Sequence, residues 1–223
     1  MTKPIYGLIG AGGFGREVMP LVRVNLAERL AASELDIAFV VEGKKPDQIL
    51  NGVQVLTMAE FSRLDCPKFF NIAIGASNVR MRIAESCISQ GMIPFSIRAE
   101  TAIVMDNCEI GDGAILCPFS ILTSNVRVGR FFHANIYAYV AHDCEVGDYV
   151  TLAPRVSCNG RMRIDDHAYI GTGAVFREGS VDKPMTVGRH AVVGMGAVVT
   201  RNVPDYETVV GNPARALDAR VRT

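Results

Sequence analysis

The run VGRFFHANIYAYVAHDCEVGDYV (Val128–Val150) lies inside a longer stretch, Val104 to Phe176, in which an apolar or small residue returns every sixth position. The series is Val104, Ile110, Leu116, Leu122, Val128, Ala134, Val140, Val146, Leu152, Cys158, Ile164, Ile170 and Phe176. A period of six matches neither the 3.6 of an amphipathic helix nor the alternation of a single strand, but it suits short strands joined by regular corners. The position four residues further on is also mostly small or apolar, from Cys108 and Ala114 to Ala168 and Ala174. Two residues per hexad therefore point inward. Gly follows the repeat residue at Gly111, Gly129, Gly147 and Gly171, where a corner needs a backbone without a Cβ. The simplest way to bury such a stripe is a prism with three hexads per turn, each coil bonded to the next at about 4.8 Å. That is a parallel β-helix. An antiparallel β-sandwich would show hairpin signals at irregular spacing, and Asn159-Gly160, which has that composition, sits in register with the hexads.

Working outward, the hexad phase holds to Phe176 and resumes at Val187, Val193 and Val199. Eleven positions separate Phe176 from Val187, so about five residues within Arg177–Met185 leave the prism as a loop, and such loops often line a solenoid's binding face. Upstream, Ile5–Ile9 is an apolar run entering Gly10-Ala11-Gly12-Gly13-Phe14-Gly15. Apolar residues at Val18, Leu21, Val22, Leu26 and Leu30 then follow at helical spacing. Strand, glycine turn and helix in that order let a backbone approach a phosphate and point a helix N-terminus at it. The same spacing also serves plain strand-to-helix packing. A second strand, Ile37–Val41, ends at Glu42, where a Rossmann-type fold places an acid against a ribose or sugar hydroxyl; the alternative is a solvated carboxylate before a turn. Thr57-Met58-Ala59-Glu60 reads as a capping box. A third strand, Phe69–Ile74, ends at Gly75, and a helix from Asn78 to Gln90 stops at Gly91. The expected division is an α/β half-Rossmann domain over residues 1–97 followed by the β-helix with a polar C-terminal tail over 98–223. One mononucleotide-binding half argues against a dehydrogenase seating a whole dinucleotide.

Composition narrows the function classes. Among 223 residues, 23 Lys and Arg balance 23 Asp and Glu, so no net field favours nucleic acid or an anionic membrane. No apolar run approaches membrane-spanning length and no leader pattern opens the chain, which points to a cytoplasmic protein. The six cysteines include no C-x-x-C pair, and no His stands at zinc-ligand spacing, so they read as reduced core fillers and no metal is expected.

The chain has four histidines, His133, His142, His167 and His190, of which His142 is the candidate for chemistry, the alternative being an outward bystander. His142 lies beside a corner, between inward Val140 and inward Cys144, and should face outward. Asp143 follows it and can bond the imidazole if both point out at the corner. Gly160 lies eighteen residues on, one full coil, and should stack against His142 with a backbone N–H. A base beside an amide donor suits acyl transfer. Asn135 is a candidate sugar contact.

The hexads resemble those of the left-handed parallel β-helix acyltransferases. With the glycine turn, the strand Phe70–Gly75 and the corner Ala141–Cys144, the chain is similar to bacterial nucleotide-sugar N-acetyltransferases. The stretch Gly129–Cys144 resembles most the GDP-perosamine N-acetyltransferases of O-antigen synthesis. The resemblance implies transfer from acetyl-CoA to the C4 amine of a nucleotide-linked 4-amino-4,6-dideoxyhexose, in a homotrimer. It implies His142 as base or orienting group, Asp143 as its partner and Gly160 near the acetyl group. Thr151, Thr172 and Gly194 fall at the coenzyme, Gly12, Gly13 and Phe14 at the nucleotide, and Gly10 and Gly75 are expected with them on the substrate side. Relatives often carry Asp-Asp where this chain has Val41-Glu42. Two rival readings are an O-acetyltransferase of the sialic acid type and a non-catalytic nucleotide-sugar binding module.

Overall fold

The computed structural model describes residues 2–217, and the end of the expected polar tail, 218–223, lies outside them. The chain divides into two compact units at Ile97/Arg98.

In the first unit, β1 (Ile5–Ile9) leads through the glycine turn into α1 (Gly13–Asn25). The helix buries Val18, Met19 and Val22 on one face and ends at Leu26, where a separate short helix α2 (Ala27–Ala31) begins. The expected run to Leu30 is thus two helices. β2 (Asp36–Val41) pairs parallel with β1. A short β3 (Ile49–Leu50) forms a hairpin with β4 (Val53–Thr57), and β4 pairs parallel with β2. Spacing alone does not mark this parallel strand, because its alternation, Val53 and Val55 inward with Gln54 outward, runs straight into the capping box. That box is present: Thr57 Oγ1 accepts from the Glu60 N–H and the Glu60 carboxylate accepts from the Thr57 N–H, opening α3 (Met58–Arg63). Lys45 joins it, and these bonds hold the Glu60 carboxyl down at about 2. β5 (Lys68–Ile72), α4 (Ser77–Ser89) and β6 (Ile93–Pro94) complete a six-stranded sheet of order β3-β4-β2-β1-β5-β6. β1 lies central and its side chains are buried on both faces, as parallel sheets require.

The second unit is a left-handed parallel β-helix. Two- and three-residue strands stack into an eight-stranded, a six-stranded and a five-stranded sheet, here the first, second and third faces. Partners such as Ile121 and Tyr139, Arg127 and Glu145, and His133 and Thr151 are eighteen residues apart, three hexads per coil. From Leu116 to Phe176 every sixth residue is buried; Val104 is half-buried and Ile110 exposed, because they belong to the first, open coil. After Phe176 the coil resumes with Met185–Val187, as the phase slip requires.

The corners have their own rule. The third residue after each repeat residue has a left-handed backbone: Asn107, Phe119, Asn125, Phe131, Tyr137, Asp143, Tyr149, Arg155, Arg161 and His167 all have φ between 52° and 63°. Such a residue costs roughly 1–2 kcal/mol by itself. The cost is offset because its N–H donates to the preceding coil, as Asp143 N–H does to Ser124 O (3.2 Å) and Tyr149 N–H to Arg130 O (2.8 Å). The glycines following the repeat residue serve a different purpose from conformational freedom. A Cβ on Gly129 would lie 2.4 Å from Asp148 Oδ1, and one on Gly147 would lie 2.3 Å from Asp166 Oδ1. Each carboxylate tucks under the coil before it and accepts that coil's corner N–H, Arg130 in one case and Asp148 in the other. The glycine is therefore steric, and it locks coil to coil.

Candidate active site

The edge between the second and third faces carries the predicted pair. His142 follows the strand Tyr139–Val140, and both His142 and Asp143 keep 44% of their side-chain surface exposed. His142 Nδ1 and Asp143 Oδ2 are 2.8 Å apart. Adjacent residues point the same way here because Asp143 takes the left-handed corner conformation, φ 57°, which breaks the alternation of a flat strand. Asn125, one coil earlier, donates through Nδ2 to Asp143 Oδ1 (3.1 Å). The bonds from His142 and Asn125 hold the Asp143 carboxyl below its ordinary range. Asp143 thus stays ionised and fixes one ring nitrogen, leaving Nε2 as the nitrogen free to face a substrate.

Gly160 stacks on His142 one coil later. A Cβ there would sit 2.6 Å from His142 Cε1 and 2.7 Å from Nε2, so only glycine lets the next coil lie flat against the imidazole. The Arg161 N–H donates to His142 O (2.9 Å), which fixes the backbone beneath the ring. Three further groups join the site: Asn125, Arg161 and Glu178. Asn125 and Arg161 lie eighteen residues either side of Asp143, so the coil arithmetic that found Gly160 would have found them. Glu178 comes from the loop that breaks the phase, and its Oε1 lies 3.7 Å from His142 Nε2. A cavity of about 440 Å³, lined in part by Asp143, Arg161, Ser180 and Pro184, opens beside this edge.

The other predicted β-helix residues do not join His142 within one chain. Asn135, Thr172 and Gly194 all lie on the edge between the first and second faces. Asn135 Nδ2 donates to Leu152 O (2.9 Å), Thr172 is exposed, and a Cβ on Gly194 would meet Val210 Cγ1 at 2.7 Å. This edge also exposes Phe119, Ile136, Tyr137 and Met195, the last at 82%. Thr151 stands apart from both edges, on the first face and buried at 5% exposure.

In the first unit, the glycine turn separates into two roles. Gly10 is left-handed at φ 109° and a Cβ on Gly15 would lie 1.9 Å from Gly10 O, so these two serve the fold. Gly12 and Gly13 are exposed and a Cβ on either meets nothing within 4 Å, leaving the backbone at the start of α1 open beside half-buried Phe14. Gly75 is exposed at the end of the β5 segment, and buried Arg80 donates to the Ile74 and Gly75 carbonyls (2.7 and 3.3 Å). Glu42 is neither free nor simply solvated. Arg82 of α4 grips it with two bonds of 2.9 and 2.6 Å, and that lowers its carboxyl below the usual range. A contact forty residues apart in sequence leaves no local signal.

No family model matches the chain. The GDP-perosamine N-acetyltransferase of Escherichia coli O157:H7 is 45% identical over 217 residues, covering 96% of this chain and 96% of that one. The chain belongs to the GDP-perosamine N-acetyltransferase family. As a member it is an N-acetyltransferase. Its structure is similar to WeeI from Acinetobacter baumannii AYE, with a TM-score of 0.91 and 49% identity over 96% of this chain and 100% of that one. It is also similar to the acetyltransferase domain of PglB from Neisseria gonorrhoeae FA1090, solved in complex with acetyl coenzyme A. That match has a TM-score of 0.81 and 27% identity over 96% and 98% of the two chains. Among the described residues no group of three or more His, Cys, Asp or Glu is placed to hold a metal ion. No helix among them is long and apolar enough to cross a membrane.

Proposed function

We propose that this family member transfers the acetyl group of acetyl-CoA to the C4 amine of a nucleotide-linked 4-amino-4,6-dideoxyhexose, with GDP-perosamine the favoured acceptor. The observation that carries the reading is the exposed His142–Asp143 pair with Gly160 flat against the ring. The C4 nitrogen gives one proton to His142 Nε2 and attacks the thioester carbonyl carbon, and the C–S bond breaks as coenzyme A leaves with a second N–H proton. A thioester is already activated, so the site mainly orients the amine and collects the proton, and no covalent enzyme intermediate is needed. A positioned base contributes typically about 10²- to 10⁴-fold. The Gly160 amide acts at the carbonyl oxygen as charge develops there.

Thr172 and Gly194 hold the coenzyme, with Thr151 supporting that face from beneath, and Asn135 meets the sugar. Because these residues sit on a different edge from His142, the working site joins the edges of neighbouring protomers in a homotrimer. The exposed apolar surface of Phe119, Ile136, Tyr137 and Met195 supports that assembly. In the first unit, Gly12, Gly13 and Phe14 receive the nucleotide, Gly10 shapes the turn, Gly75 closes it, and Glu42 reaches a hydroxyl while held by Arg82. The protein works in the cytoplasm, on a precursor of surface polysaccharide such as O-antigen.

The test is a thiol-release assay with acetyl-CoA against GDP- and UDP-linked 4-amino sugars and free sialic acid. Release with a GDP-linked amino sugar supports the reading. Release with sialic acid alone replaces it with the O-acetyltransferase.

A further inference from the structure

The loop that interrupts the hexads is tied to the His142 edge by its backbone. Gly179 N–H donates to Gly160 O (3.0 Å) and Met185 N–H donates to Arg161 O (3.1 Å), so both ends of the loop are pinned to the coil that stacks on His142. A Cβ on Gly179 would fall 2.1 Å from Arg161 O, so glycine is what permits this approach. The residue before it is Glu178. Its Oε1 bonds Arg161 Nη1 and faces His142 Nε2 at 3.7 Å. Arg161 is itself held, through its own N–H to His142 O and its Nε at 4.0 Å from Asp143 Oδ2.

A separation of 3.7 Å is too long for a direct hydrogen bond between carboxylate and imidazole. It is the right width for a third atom: a nitrogen placed about 2.9 Å from each would donate to both. An amine has the N–H groups to do so. A hydroxyl has one, and can satisfy only one of the two acceptors. At neutral pH a primary amine is also largely protonated, so it arrives with the charge a carboxylate favours.

We infer that Glu178 is the specificity-determining group that makes this site choose an amine over a hydroxyl, receiving the C4 ammonium beside His142 while Arg161 holds the carboxylate in place. This rests on the amine-acylation reading above. The ammonium gives one proton to His142 Nε2, the freed lone pair attacks the thioester carbon, the C–S bond breaks, and the second N–H proton departs with the thiol. An ordinary surface ion pair between Glu178 and Arg161 would explain the loop's position but not a carboxylate aimed at the reactive nitrogen, and exposed pairs contribute little to stability.

The test compares binding of GDP-perosamine with binding of its 4-hydroxy counterpart, GDP-linked 6-deoxymannose, by titration calorimetry on the full chain. Wild type should bind the amine about ten- to a hundredfold more tightly, the range expected for a charged hydrogen bond. Glu178→Gln, which preserves shape and still accepts from Arg161, should bind the two alike and lose a similar factor in kcat/KM for the amino sugar, with KM for acetyl-CoA unchanged. Glu178→Asp keeps the charge one methylene back and should retain part of the preference. An unaltered preference in Glu178→Gln, or none in wild type, overturns the inference while thiol release with the amino sugar leaves the acyl-transfer reading standing. No thiol release by wild type with any amino sugar removes both.

Discussion

Two edges of the β-helix use the same backbone slot for different purposes. On the edge between the third and first faces, the left-handed residues are Phe131, Tyr149, His167, His190 and Tyr206, stacked ring on ring at 5.5, 5.1, 4.5 and 5.1 Å. On the edge between the second and third faces they are Asn107, Asn125, Asp143 and Arg161, linked by polar contacts. The first ladder is buried at Phe131, Tyr149 and His167 and staples the coils together; the second is open to solvent and carries His142 beside it. A corner geometry imposed by the coil thus leaves side-chain chemistry free to vary. A histidine within an aromatic stack is structural, and a histidine beside a carboxylate with a glycine on its face can do chemistry.

The contrast breaks most sharply at the two ends. His142→Ala should lower turnover by about 10²- to 10⁴-fold without altering the melting temperature; wild-type kcat in the folded variant would take His142 out of the mechanism. Tyr149→Ala removes a buried ring from the other ladder. It should cost about 3–5 kcal/mol of stability, read by denaturant unfolding, while kcat per folded molecule stays within twofold or so of wild type. A large loss of kcat there would mean the edges are not separate in function.

Gly160→Ala sharpens the comparison from inside the site. The added methyl would meet the imidazole at 2.6 Å, and an exposed side chain yields more easily than a neighbouring coil. The fold should persist while kcat falls roughly ten- to a hundredfold from the displaced ring. A loss of stability with normal kcat would assign the glycine to folding instead. The smallest effect concerns pH. Asp143 has a lowered carboxyl pKa because His142 and Asn125 bond its ionised form. A depressed acid contributes stability that is present above its unfolded value, about 3.9, and lost as pH falls through the lower folded value. The melting-temperature gap between wild type and Asp143→Asn should therefore close on acidification through that window, and a gap that stays constant would mean the bonds do not favour the charged form.

Much of this was readable from spacing. Eighteen residues per coil places Gly160 on His142, and a sixfold period separates buried from exposed positions, since a solenoid repeats its neighbours at fixed intervals. The same count would have exposed the aromatic ladder, with Phe131, Tyr149 and His167 each eighteen apart. The purpose of the corner glycines was less plain: their place is periodic, but what excludes a Cβ, an Asp carboxylate at Gly129 and Gly147 and backbone at Gly111 and Gly171, belongs to the next coil. Glu178 lies outside the period altogether, and the Arg82 grip on Glu42 joins residues with no local relation.

The order of residues by itself determined the β-helix, its three-hexad coil and the stacking of His142 with Gly160, because each follows from a period that must bury one side of every strand. Tertiary structure alone decided that Asp143 turns outward beside His142 and that Glu178 reaches the reactive nitrogen. Those outcomes depend on how a left-handed corner and an out-of-register loop aim side chains in space, which no repeat length specifies.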